Sequence, residues 1–216
     1  MLSIVEARVL GCLLEKQRTV PDQYPLTLNV LASACNQSQS REPVMHLSDH
    51  EIEAAITTMK ATGLARLVHP SHGRSATRYR QVADERWSLE PDAAAVIAVL
   101  LLRGPQTVAE LRSRTERLHP FDSLDDVQRV LEQLAESETV RILERQPGQK
   151  ELRWQQLVAE EAEQLAAPRS FAASSSPAVA AGAVEALTDK VEALEARISV
   201  LEAALAVLEA ALADLL

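Results

Sequence analysis

"SDHEIEAAITTMKATGLARLVHPSHGRSATRYRQ" (residues 48–81) lies over "SLDDVQRVLEQLAESETVRILERQPGQKELRWQQ" (residues 123–156) at a constant offset of 75, without a gap. Ser48 falls on Ser123, Ile52 on Val127, Ile56 on Leu131 and Met59 on Leu134. Further along, Arg66 meets Arg141, Leu67 meets Ile142, Gly73 meets Gly148, Arg78 meets Arg153 and Tyr79 meets Trp154. Agreement at apolar, glycine and arginine positions over 34 residues marks a duplicated unit.

Each copy has a readable local architecture. Ser48 and Glu51 form a capping box, and Ile52, Ala55, Ile56 and Met59 make one apolar face at helical spacing. Gly63 is a helix stop, "LARLV" a strand, and "TRYRQV" the returning strand after a turn at Gly73. The second copy predicts a helix from Ser123 to about Glu136, then strands "TVRIL" and "KELRW" around the turn "ERQPGQ". Upstream, Ser3 and Glu6 open a helix carrying Ile4, Val9, Leu10, Leu13 and Leu14, and another starts near Thr27. Their counterparts are "PDAAAVIAVLLL" and the segment "VAELRSR", which Thr107 and Glu110 cap.

Three helices and a hairpin, twice over, predict a mainly α fold with small β-hairpins (α+β). The units are two tandem winged-helix domains, residues 1–83 and 84–158. Such small units bury modest cores and gain from a neighbour.

Residues 159–183 form an Ala/Ser/Pro-rich linker, read as flexible, and the pattern then changes abruptly. Val184, Val191, Ile198, Leu205 and Leu212 take heptad position a, and Leu187, Leu194, Leu201, Leu208 and Leu215 take position d. In a parallel pair Lys190 would face Glu195 of a second copy, and Arg197 would face Glu202. An antiparallel pair would set glutamate against glutamate. Residues 184–216 are therefore expected to form a parallel homodimer through a coiled coil, a single helix packed back on the domains being the alternative.

"LGCLLEKQRTVPDQYPLTLNVLASACNQ" followed by "REPVM" closely resembles the bacterial YceH-type family. The resemblance is carried by Glu15, Lys16, Tyr24, Pro25, Leu28, Asn29, Leu31, Cys35, Asn36, Gln37, Arg41, Pro43 and Val44. It covers about residues 1–158 and implies a tandem winged-helix fold, with no established activity. Family members are expected to carry a Lys and an Asn between Gln37 and Arg41, where this chain has Ser38, Gln39 and Ser40.

Composition excludes several classes. The chain has 216 residues, 47% hydrophobic and 25% charged, as in ordinary globular proteins. The longest apolar run, "AAAVIAVLLL" at 93–102, is about half a membrane span. Glu6 and Arg8 interrupt the first apolar segment, which does not read as a signal peptide. A cytoplasmic protein with no membrane partner is expected. Cys12 and Cys35, the two cysteines, read as buried reduced thiols. No phosphate-binding glycine loop, H-E-x-x-H, C-x-x-C or G-x-S-x-G occurs, so no enzyme and no cofactor are expected. His46 and His50, and His69 and His72, are spaced like ligand pairs, but nothing brings the pairs together and no metal is expected.

Charge is uneven. The net charge is −9, yet residues 1–83 hold nine Lys/Arg against seven Asp/Glu, whereas residues 84–158 hold ten against fourteen. Winged helices set their third helix into the major groove and lay the wing on the backbone. In the first copy Asp49, His50, Glu53, Ala54 and Thr57 lie off the apolar stripe. In the second the same surface carries Asp125, Asp126, Gln128, Arg129, Glu132 and Glu136, unsuited to phosphate. Candidate nucleic-acid contacts are therefore Arg74, Arg78, Arg80 and His72 in the first wing, His50 on its helix, and Asn36, Gln37 and Arg41 before it. Arg74 and Arg80 stand out, because the second copy replaces both with glutamine. A DNA-associated regulator is the first reading, and a protein-assembly module binding an unidentified protein the alternative.

Overall fold

The computed structural model describes residues 1–69, 76–145 and 151–159. The described residues all belong to one compact unit. The expected coiled-coil positions, and wing residues His72 and Arg74, lie outside the described residues. The described fold is mixed α+β, with seven α-helices and small antiparallel sheets among these residues.

The first half runs α1 (Ile4–Thr19), a 3-10 turn (Pro21–Gln23), β1 (Leu26–Thr27), α2 (Leu28–Cys35), α3 (Asp49–Ala61), β2 (Ala65–Val68) and β3 (Arg78–Gln81). A short α4 (Ala83–Trp87) leads into α5 (Pro91–Arg103), α6 (Val108–Thr115), α7 (Leu124–Glu136), β4 (Val140–Ile142) and β5 (Trp154–Gln156). Helix starts follow the sequence reading. Ser3, Ser48, Thr107 and Ser123 each accept the backbone N–H three residues on, and Glu6, Glu51, Glu110 and Asp126 reach back to complete four capping boxes.

The repeat is visible in the core. Ile52, Ala55, Ile56 and Met59 are the buried face of α3, and Val127, Val130, Leu131 and Leu134 that of α7. Both helices end alike. Leu64 N–H donates to the Met59 carbonyl and Gly63 N–H to that of Lys60, a Schellman motif with Gly63 at φ +75°. Thr139 N–H donates to Leu134 and Glu138 N–H to Ala135, with Glu138 at φ +54°. The second copy thus keeps the cap without its glycine.

The sheets correspond as well. β3 lies between β1 and β2, both antiparallel to it, with Leu26 opposite Tyr79 and Leu67 opposite Tyr79 on the other side. In the second half β4 pairs with β5, and an isolated bridge joins Gln106 to Trp154 where β1 would lie. β5 begins at Trp154 rather than at Lys150, where the sequence pattern starts it. Glu151 and Leu152 are exposed, and burial begins with Trp154.

The halves share one hydrophobic cluster. α5 is the apolar run read above, and all ten residues from Ala93 to Leu102 are buried, as a helix apolar on every side requires. Its main partner is α1. Gly11 makes this approach possible: a Cβ there would sit 2.9 Å from Leu102 Cγ and 3.1 Å from Leu101 Cβ. Two backbone hydrogen bonds tie the halves further, Glu42 N–H to Leu102 (2.8 Å) and Leu2 N–H to Val158 (2.8 Å). No helix among the described residues is long and apolar enough to cross a membrane.

Candidate nucleic-acid interface

The hairpin β2–β3 alternates strictly. Tyr79 and Gln81 are buried, while Arg78 is exposed and Arg80 half-buried. Period-two alternation therefore puts Arg78 and Arg80 on the outer face of the sheet. Register adds a third cation: Arg66 of β2 is directly opposite Arg80, and Val68 is opposite Arg78. Arg66 was not among the residues picked out from sequence. Its signal was the hairpin register, which needs the turn length as well as the strand pattern.

These arginines are held differently. Arg78 Nη1 donates to the carbonyls of Pro25 (2.8 Å) and Gln23 (3.3 Å). In the second half Arg153 Nη1 donates to the Pro105 carbonyl (2.9 Å) and to Glu110 Oε2 (2.8 Å). Both arginines brace the turn that precedes the second helix of their copy. Arg78 thus has a structural task, although a guanidinium has five N–H donors and most of these stay available. Arg80 Nη2 lies 2.7 Å from Glu85 Oε1, and Arg66 Nη2 lies 3.4 Å from Glu85 Oε2. One α4 carboxylate therefore answers two guanidiniums, leaving the face net positive with Arg78. Exposed pairs of this kind are worth about 0–1 kcal/mol, so Glu85 is readily exchanged for another anion. At the matching place in the second half Arg141 donates to a neutral partner, Gln155 Oε1, at 3.2–3.3 Å.

α3 presents Asp49, His50, Glu53, Ala54 and Thr57 to solvent, and His50 sits in its first turn. The Ser48 hydroxyl and N–H hold the neighbouring Glu51 carboxyl below its ordinary value, so it is fully ionised at neutral pH. α7 exposes Asp125, Arg129, Glu132 and Glu136. The Asp126 carboxyl is likewise lowered, first by the Ser123 hydroxyl and also by Arg129.

The residues before α3 divide. Gln37 is exposed. The Asn36 side chain donates to the Leu47 carbonyl (2.8 Å) and accepts its N–H (2.7 Å), closing the intervening loop from the C-cap of α2. Arg41 corrects the sequence expectation: its side chain is 0% exposed and so withdrawn from any phosphate. Its guanidinium makes a bidentate pair with Glu15, at 3.1 and 2.7 Å, and Nε donates to the Ala34 carbonyl at 3.0 Å. Arg8, also buried, donates Nη1 to Cys35 O (3.0 Å) and Nη2 to Pro43 O. Two buried cations thus satisfy the carbonyls at the end of α2, where the helix dipole favours positive charge. Cys12 and Cys35 are free and buried, as read from sequence. Among the described residues no cluster of three or more His, Cys, Asp or Glu could hold a metal ion.

Residues 2–149 match the family described as "Protein of unknown function, DUF480". The chain is 45% identical over 172 residues to a UPF0502 protein of Geobacter sulfurreducens, covering 79% of this chain and 78% of the relative. It is 46% identical over 158 residues to one from Solibacter usitatus, covering 73% and 76%. With a UPF0502 protein of Azotobacter vinelandii the identity is 43% over 185 residues, 85% and 82% of the two chains. A match over most of the chain, with relatives this similar along most of their own length, places the protein in the DUF480 family of uncharacterised bacterial proteins.

Proposed function

We propose that this chain is a non-enzymatic, cytoplasmic DNA-associated regulator built from two tandem winged helices, with a C-terminal coiled coil that makes it a parallel homodimer. The first winged helix faces the nucleic acid. The observation that carries the reading is the outer face of its hairpin, where Arg66, Arg78 and Arg80 stand together against one exposed carboxylate, Glu85. Arg74 belongs to the same wing by sequence. Among the described residues the second hairpin keeps Arg141, but Arg153 is tied to Glu110 and Gln155 stands in place of Arg80.

Three arginine contacts per chain become about six in a dimer, the level at which counterion release lowers affinity about 1,000-fold between about 50 and 200 mM salt. Binding of duplex DNA fragments at those two salt concentrations tests this. Changing Arg74 and Arg80 to Ala should weaken binding across all sequences and flatten the salt slope. Absence of wild-type binding at the lower salt would refute the reading.

One observation favours a second reading, a protein-assembly module. The α7 surface that a groove reader would present is lined by Asp125, Glu132 and Glu136. Carboxylates there repel phosphates but suit a basic protein surface.

A further inference from the structure

The strongest remaining feature is a cavity of about 530 Å³ at the seam between the halves. It lies where the C-terminal ends of α1, α5 and α6 converge on the loop after α2. Val99, Leu102 and Leu118 form its apolar part, and Ser38 and Ser40 line it from the loop after α2. Lys16, Arg103, Arg114 and Arg117 also line it, from three separate segments of the chain.

Charge in this cavity is out of balance. Among the described residues Glu15 is the one carboxylate lining it, and it is already engaged by buried Arg41 at 2.7 Å and by Lys16 at 3.1 Å. Arg114 lies 3.6 Å from Glu110, which is shared with Arg153 at 2.8 Å. Among the described residues Arg103 hydrogen-bonds to the neutral Ser40 hydroxyl, and Arg117 has no partner. Burial, and the positive charges of Arg114 and Arg41, lower the Arg103 guanidinium from its ordinary value. An acidic protein has therefore gathered several cations around one cavity and left two of them without an anion among the described residues.

We propose that this cavity binds a small organic anion, a phosphate or carboxylate on an apolar body. Arg103 and Arg117 would grip the charged head, and Val99, Leu102 and Leu118 would meet the body. The volume falls within the range of small-molecule sites, and a lining more polar than apolar, with several cations beside a small apolar patch, suits a ligand whose charged head carries the binding. Guanidiniums on a desolvated oxyanion make the strongest class of hydrogen bond. The proposal does not depend on DNA binding, since none of the four cations belongs to the wing.

The test uses the full chain and four probes: 1-naphthyl phosphate, 1-naphthoate, 1-naphthol and inorganic phosphate, with affinity read by calorimetry and by the rise in melting temperature. The two naphthyl anions should bind at least about ten-fold tighter than naphthol or inorganic phosphate, and their order identifies the preferred head group. Arg103→Gln should weaken the preferred anion by about ten-fold or more, the scale of one charge-assisted hydrogen bond. Arg117→Gln, on an exposed side chain, gives a second reading if Arg103→Gln folds poorly. Arg129→Gln, remote on α7, should change nothing. Equal affinity for naphthol and its phosphate, or anion binding indifferent to both Arg103→Gln and Arg117→Gln, would overturn the proposal.

Discussion

Replacing Arg41 with Met should destabilise the fold without touching its outer surface. The Arg41 side chain is fully buried and that of Glu15 is 15% exposed. Removing one partner from a buried ion pair costs about 3–5 kcal/mol, because the other charge is left desolvated. Here Lys16 remains 3.1 Å from Glu15, which still touches solvent, so the lower end applies, about 3 kcal/mol. The loss should depend on pH. Burial pushes the Glu15 carboxyl up, but the hydrogen bonds and charge of Arg41, aided by Lys16, bring it below its ordinary value. A carboxyl lowered in the folded state stabilises fully above its unfolded value, about 4.3, and that stability goes as pH falls through the lower folded value. In Arg41→Met burial is opposed only by Lys16, so the carboxyl rises and its penalty fades on acidification. The stability gap between the two proteins should therefore narrow from about pH 7 to about pH 4. Urea unfolding followed by circular dichroism measures it at each pH. A loss under about 1 kcal/mol at neutral pH, or a gap that widens in acid, would refute the assignment of Arg41 as a buried brace.

Glu138→Gly should stabilise by about 1 kcal/mol, because Glu138 holds φ +54° at the cap where the first copy has Gly63, while Gly63→Ala should cost about as much. A destabilised Glu138→Gly in urea unfolding would show that the side chain contributes more than the backbone strain. Gly11→Ala should cost about 1–3 kcal/mol, since the new methyl meets Leu102 at 2.9 Å and the α1–α5 seam must open. Full wild-type stability would mean that the seam is softer than its packing indicates. Cutting the chain after about residue 170 should give a monomer in light scattering if heptads 184–215 carry association; a truncated dimer would place that contact in the remaining residues.

What sequence revealed was mostly local. Capping boxes, the apolar faces of α3 and α7 and the stop at Gly63 depend on residues within one or two turns, so they could be read in order. α5 announced its burial by being apolar on every side, but not that its partner would be α1. Arg41 was misread because the direction of a loop side chain is decided by Glu15, 26 positions earlier. α4 was missed because much of its cap comes from the side chain of Gln81, whose Oε1 accepts the N–H of Ala83 (2.7 Å) and Asp84 (3.2 Å). The basic cavity was illegible for the same reason on a larger scale. Its cations are scattered from Lys16 to Arg117, and only the packing of α1 on α5 gathers them.

The two copies share one scaffold and differ in part of what they place on it. Positions that hold the backbone repeat: Arg78 and Arg153 both grip the carbonyl of a proline, at Pro25 and Pro105. Gly63 and Glu138 occupy the same cap, and the buried faces of α3 and α7 superpose residue for residue. Outward positions repeat in part: Arg66 and Arg141 are both exposed arginines, whereas Glu53 becomes Gln128 and Arg80 becomes the buried Gln155. Changes fall on buried positions too, where Ala55 becomes Val130 and Tyr79 becomes Trp154 with apolar character kept. The exposed faces of the first hairpin and of α7 thus differ in charge, the contrast from which the proposed function is argued. The seam then has a task of its own. Any ligand that fills the cavity between α1, α5 and α6 touches both halves, and its binding free energy adds to the stability of the joint by mass action.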